Sequence, residues 1–204
     1  MADKISAKAV DMIIGFEVSS QAYYEKHYQR PEWPGGASGI TIAIGYDLGY
    51  CDEKKIRSDW TNRIPGPMVD ALVKFSGFKG DGAKERLDQA KPLISIPWQT
   101  AHNVFMQCDV PLFTSQVKKI LPNTDLLSED CLGALVSIAY NRGNSWNMTD
   151  DRHTEMHNIK QHMTDKEFNK IPHEIRAMKR IWPNINGLVS RREDEAKLFE
   201  NGMK

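Results

Sequence analysis

Long apolar runs are missing from this 204-residue chain. No stretch approaches the roughly 20 residues that span a bilayer, which excludes a stable helical membrane anchor. Cysteine is scarce: Cys51, Cys108 and Cys131 are far apart and odd in number, with no Cys-x-x-Cys pair among them. That argues against a zinc or redox motif and for free, partly buried thiols in a reducing compartment. An excess of charge of one sign is missing too, because Lys+Arg and Asp+Glu each total 27. Bulk charge therefore points to no nucleic-acid or membrane partner. Residues 1–8 lack the apolar h-region of a signal peptide, so the expectation is synthesis in the cytoplasm, with any export by another route. Repeats, low-complexity tracts and a dividing linker are absent as well.

What is present is ordinary for a globular protein, with 40% hydrophobic and 26% charged residues. The length allows one domain, or one domain of two lobes, with a full core. Apolar periodicity predicts a first helix over residues 5–16, carrying Val10, Ile13, Ile14 and Phe16, with Glu17 at its last turn. An aromatic cluster (Tyr23, Tyr24, Tyr28) follows, then a Pro/Gly loop holding Trp33, whose ring either stacks on a ligand or covers the core.

Ile40, Ile42 and Ile44 alternate with Thr41, Ala43 and Gly45, which predicts a half-buried strand whose smaller face suits close approach. Asp47 comes just past it, where turn amides can hold a carboxylate. Asp52 reads as the cap of a helix to about residue 63, and Ser128 as the cap of a helix ending at Gly143. Short helices are predicted over 65–76 and 82–90. Helical stretches follow over 97–121 (broken near Pro111), 151–163, 172–182 and 188–199. The expected fold is α+β over residues 1–204. It has a small lobe with a short antiparallel sheet (about 18–62) and a larger helical lobe (about 63–204), on which helix 5–17 packs.

The chemistry-bearing residues are Glu17, Thr41 and Asp47, expected to meet in one cleft. A carboxylate in the last turn of a helix faces the negative end of the dipole, unfavourable by about 0.3–1 kcal/mol. The protonated carboxyl is the form a general acid needs. A second carboxylate and a hydroxyl that position water on the opposite face would complete the arrangement used in glycoside hydrolysis.

With these residues in view, Glu17 followed by Thr41 in Gly-Ile-Thr-Ile-Ala-Ile-Gly-Tyr-Asp-Leu-Gly resembles the phage-type lysozyme superfamily, most of all the pesticin-like muramidase domains. There the catalytic glutamate, threonine and aspartate occur in this order, with the aspartate six positions after the threonine. In the better-known phage enzymes the aspartate precedes the threonine, and Glu25 or Glu32 would then be the candidates. Residues 134–143 are similar to the family's central helix and polar turn. Trp182 and Gly187-Leu188-Val189-Ser190-Arg191-Arg192 are similar to its C-terminal segment, from which an arginine approaches the catalytic glutamate.

The resemblance implies a lysozyme-like fold and cofactor-free, metal-free, inverting hydrolysis of the β-1,4 bond between N-acetylmuramic acid and N-acetylglucosamine. Glu17 would be the acid, Asp47 and Thr41 would hold the water, and Tyr46, Asn141, Arg191 and Arg192 would support cleft or sugar. The partner would be peptidoglycan in the periplasm or wall. The protein would reach it as a phage endolysin or as a delivered antibacterial effector, the latter with an immunity protein. The bland alternative for Arg191 and Arg192 is surface charge at a helix N-terminus.

Two rivals stand beside this expectation. One is a lysozyme-like module that only binds glycan or protein. The other is a zinc amidase or peptidase, in which His153 and His157, at i and i+4 of one helical face, would be joined by His162 or His173. His-x-Glu-x-His is not the metalloprotease spacing, however.

Overall fold

Helices dominate the computed structural model, with one two-stranded antiparallel sheet among them: the α+β content that was expected. The structure describes residues 4–204. Residues 1–3, the start of the stretch read for a leader, lie outside the described residues. No described helix is long and apolar enough to cross a membrane.

The chain divides into two compact units, Glu17–Asp109 and Met1–Phe16 with Val110–Lys204. This division falls at 109/110, whereas the sequence reading places the edge of the small lobe near residue 62. Contacts tie residues beyond 62 back to the start of the same unit: Gly77 N donates to Leu48 O at 3.0 Å, and Tyr24 Oη donates to Ile96 O at 2.8 Å.

Helix α1 (Ala7–Val18) spans the division, its residues through Phe16 lying in the helical unit. Ser19 leaves it with a left-handed φ of 63°. Ser20 then caps α2 (Gln21–His27), its Oγ accepting from Tyr23 N at 3.2 Å.

The single strand predicted over 40–45 is instead a hairpin, β1 (Thr41–Ile42) and β2 (Tyr46–Asp47), paired Thr41 with Asp47 and Ile42 with Tyr46. Ala43 at φ 52° and Gly45 at φ 73° turn the chain. Ile40, Ile42 and Ile44 are all buried, so the alternation reports burial while positive φ sets the path.

In the same unit, Asp52 caps α3 (Glu53–Trp60), Oδ1 accepting from Lys55 N at 2.8 Å. Next come α4 (Gly66–Lys74) and the single turns α5 (Asp81–Lys84) and α6 (Leu87–Ala90), followed by α7 (Trp98–Val104). A π-turn, Phe105–Asp109, separates α7 from α8 (Val110–Ile120). Pro111 has no N–H to bond back to Gln107 and its ring crowds that carbonyl, so the turn widens before it.

The helical unit is built on α9 (Glu129–Arg142), capped by Ser128 and closed by Gly143 at φ 74°. Its residues from Cys131 to Ala139 are all buried, so it runs through the core rather than along it. Gly133 is required there, because a Cβ would lie 2.3 Å from Ala9 Cβ of α1. On α9 pack α8 and α12 (Asn186–Gly202); α12 also packs on α11 (Ile171–Ala177), and α11 on α10 (Thr154–Asp165).

Candidate functional site

Thr41 uses both backbone groups on Glu32: Glu32 N donates to Thr41 O at 2.9 Å and Thr41 N to Glu32 O at 2.8 Å. It therefore faces Asp47 as a non-hydrogen-bonded antiparallel pair, the closer kind, with Cα atoms about 4.5 Å apart. Directly opposed residues project to the same side of a sheet, so Glu32, Thr41 and Asp47 form a row on one face. The structure brings Thr41 and Asp47 together. It also puts the alternative carboxylate Glu32 on the other flank of Thr41, 3.6 Å from Lys91 Nζ. Glu25 is elsewhere, exposed on α2 and accepting from Gln21 at 2.8 Å.

The Asp47 carboxylate is held by backbone amides. Gly39 N donates to Oδ1 at 3.0 Å and Oδ2 at 3.1 Å, and Gly49 N to Oδ1 at 2.8 Å. Only glycine fits at position 39, where a Cβ would sit 2.3 Å from Gly49 N and 2.4 Å from Asp47 Oδ1. Burial pushes the Asp47 pKa above its ordinary value, against the two amides and Lys79, which favour the charged form. The result is a fixed carboxylate of increased basicity. The Thr41 hydroxyl makes a long 3.5 Å contact with Gly39 O.

Tyr46 alternates to the opposite face and is buried, its hydroxyl donating to Asp59 Oδ2 at 2.9 Å. Expected to support cleft or sugar, it anchors the hairpin that carries Thr41 and Asp47 from inside, and its ring does not face their row. Burial raises its phenol pKa strongly.

Glu17 occupies the last turn of α1, half-buried, in a turn with no basic residue. It is the residue at which the hairpin unit begins.

Asn141, Arg191 and Arg192 belong to the helical unit. The surface-charge alternative is overturned: both arginines are buried, Arg192 completely. Their partner is Glu195, also fully buried, which sequence reasoning missed. Arg191 Nε donates to Glu195 Oε1 at 3.2 Å, Arg192 Nη2 to Oε1 at 2.9 Å, and Ser137 Oγ to Oε1 at 2.6 Å. Arg192 Nη2 also donates to Asn141 Oδ1 at 3.2 Å, linking exposed Asn141 to the cluster. The i,i+4 spacing of Arg191 and Glu195 was the available signal.

The two histidines of the rival zinc reading fall on different elements. His153 ends a 3-10 turn ahead of α10 and pairs with Asp150 at 2.7 Å, while His157 is exposed on α10. Among the described residues no group of three or more His, Cys, Asp and Glu is disposed to hold a metal ion.

No curated protein matches the chain in sequence. One family does, over a stretch that contains Glu17, Glu32, Thr41, Asp47 and the whole of the Gly39–Asp47–Gly49 cradle, and that ends before Asn141. That stretch, residues 13–132, is more than half of the chain, and the protein belongs to the family described as Domain of unknown function (DUF8812).

Proposed function

We propose that this protein is a muramidase with a lysozyme-like fold, similar to the pesticin-like branch of the phage-type lysozyme superfamily. It would hydrolyse the β-1,4 bond between N-acetylmuramic acid and N-acetylglucosamine. The observation that carries the proposal is the Thr41–Asp47 cross-strand pair, with the Asp47 carboxylate fixed by Gly39 and Gly49 amides. A hydroxyl beside an immobilised carboxylate of raised basicity is what holding and deprotonating an attacking water requires. Glu17, at the end of α1, is the proton donor to the leaving oxygen. Glu32, on the far side of Thr41, is paired with Lys91 and is the alternative second acid. The buried Arg191–Arg192–Glu195 cluster acts as scaffold for the helical unit. Peptidoglycan is reached after lysis or delivery, as an endolysin or as an effector with an immunity protein.

The test is digestion of purified sacculi, with the new reducing end identified by mass spectrometry. N-acetylmuramic acid at that end is expected, and Glu17→Gln lowers its release by about 10²–10⁴-fold. Release that survives Glu17→Gln overturns the acid assignment. Binding of sacculi without any release favours a glycan-binding module, and loss only on chelation favours a zinc enzyme.

A further inference from the structure

Two aromatic side chains are fastened by their polar ends to consecutive carbonyls of the loop that leads into β1. Tyr50 Oη donates to Ala37 O at 3.3 Å, and Trp33 Nε1 donates to Ser38 O at 3.1 Å. The same Ser38 carbonyl accepts from Gly80 N at 3.0 Å, which ties in the turn carrying Lys79. Each ring has a lysine over it: Lys79 Nζ lies 3.6 Å from the Tyr50 centroid and Lys84 Nζ 5.4 Å from that of Trp33. Tyr50 is nonetheless 64% exposed, more than any other large apolar or aromatic residue among the described ones. It stands three residues after Asp47, and Lys79 is close enough to act on the Asp47 carboxylate.

Fixing a tyrosine by its hydroxyl while leaving the ring in water produces a flat surface with little conformational entropy left to lose on binding. A pyranose offers a face of C–H groups that suits an aromatic ring, and its hydroxyls stay solvated at the edges. Lysines at those rings add attraction for negative charge. The pattern differs from a hydrophobic protein-docking face, because each apolar surface carries its own cation.

We infer that Trp33, Tyr50, Lys79 and Lys84 form a subsite for a sugar ring bearing an acidic substituent, adjacent to Asp47. The inference rests on the proposed muramidase function, under which the substituent is the carboxylate-bearing peptide stem of N-acetylmuramic acid. Tyr50 and Trp33 take the sugar face; Lys79 and Lys84 take the stem.

The experiment compares soluble glycan strands carrying intact stems with strands stripped of them, as substrates for wild type, Tyr50→Ala and Lys79→Gln/Lys84→Gln. Tyr50→Ala is expected to raise KM about tenfold on both substrates, with most of the loss in KM rather than kcat. The double lysine variant raises KM only on strands with stems. Tyr50→Phe, which keeps the ring but removes its bond to Ala37 O, is expected to give a KM between those of wild type and Tyr50→Ala, with an unchanged thermal midpoint as the control for folding. Unchanged KM in both variants, with a lowered thermal midpoint, overturns the subsite and reduces the lysine–ring pairs to surface packing. If wild type releases no reducing ends, the muramidase proposal fails by itself. Co-sedimentation of the protein with sacculi, with and without Tyr50→Ala, then reads the subsite separately: weaker binding of the variant supports it and equal binding overturns it.

Discussion

Asp47 in one unit and Glu195 in the other are carboxylates held by opposite means. In the hairpin unit Asp47 is half-buried and held by backbone N–H groups of Gly39 and Gly49. In the helical unit Glu195 is fully buried and held by side chains: two guanidiniums and the Ser137 hydroxyl. A carboxylate gripped by amides keeps lone pairs and its own charge available for chemistry. One enclosed by arginines is neutralised and sealed from water, so it serves the fold. The same side-chain chemistry therefore becomes a candidate site in one unit and a structural joint in the other.

The largest effect expected from breaking this contrast is on the joint. Glu195→Ala removes the carboxylate that Arg191 and Arg192 both contact and leaves the Ser137 hydroxyl without that acceptor. A destabilisation of about 3–5 kcal/mol follows, measured by urea unfolding. Replacing Arg191, Arg192 and Glu195 together by apolar residues of like volume should cost far less, because no buried charge is stranded. A single-variant loss below about 1 kcal/mol would mean that water reaches the cluster and that the contrast is wrong.

A third carboxylate sharpens the comparison by having neither device. Asp109 is buried at the end of the π-turn, and its nearby cation, Lys55, is already engaged by Asp59 at 2.6 Å. Burial pushes its pKa up to about 7, with Lys55 opposing and Asp59 reinforcing the shift. The folded state thus holds this proton more tightly than the unfolded one. Between the ordinary carboxylate pKa and about 7 the group's contribution falls as pH rises, and above that it levels off. Asp109→Asn should therefore stabilise relative to wild type by a few kcal/mol at pH 8, since each unit is worth about 1.4 kcal/mol, with the advantage vanishing toward pH 4. Unfolding midpoints of the two proteins across that range are the measurement. Parallel curves would show that Asp109 is charged in the folded state throughout.

Much of this was legible in the sequence where local rules suffice. The Ser128 and Asp52 caps, the Gly143 stop and the helical carboxyl-terminal half follow from side-chain and backbone preferences. The hairpin was missed because three isoleucines at period two imitate a strand, whereas Ala43 adopts a left-handed turn that its side chain does not announce. Thr41 and Asp47 were picked out, and turn amides were expected for Asp47. That Thr41 faces Asp47 as a pair, with Glu32 on its other side, depends on register, which no single segment encodes. The arginines are legible as candidates, read as cleft or sugar support with surface charge as the bland alternative, but not as a buried cluster. Their burial depends on Glu195 and Ser137, the latter brought from 54 positions away.

The effect most informative about the site is expected around Gly39 and Asp47, with the smallest change in stability at Asp47→Asn. Gly39→Ala places a methyl group 2.3 Å from Gly49 N and 2.4 Å from Asp47 Oδ1, a distance that real contacts do not show. Either the Gly39 and Gly49 segments move apart or the carboxylate leaves its amides. Gly39 and Gly49 are both buried and the atoms met are mainly backbone, which gives less readily than a side-chain end, so the overpacking costs about 3 kcal/mol. Activity should fall much further, because a displacement near 1 Å at a positioning group can cost about 100-fold. Asp47→Asn gives the complementary case: it retains an oxygen acceptor for Gly49 N, so stability changes less, but the group can no longer take a proton. If Gly39→Ala and Asp47→Asn both keep wild-type turnover of sacculi, Asp47 is a structural joint like Glu195. The second acid must then be sought across Thr41, at Glu32.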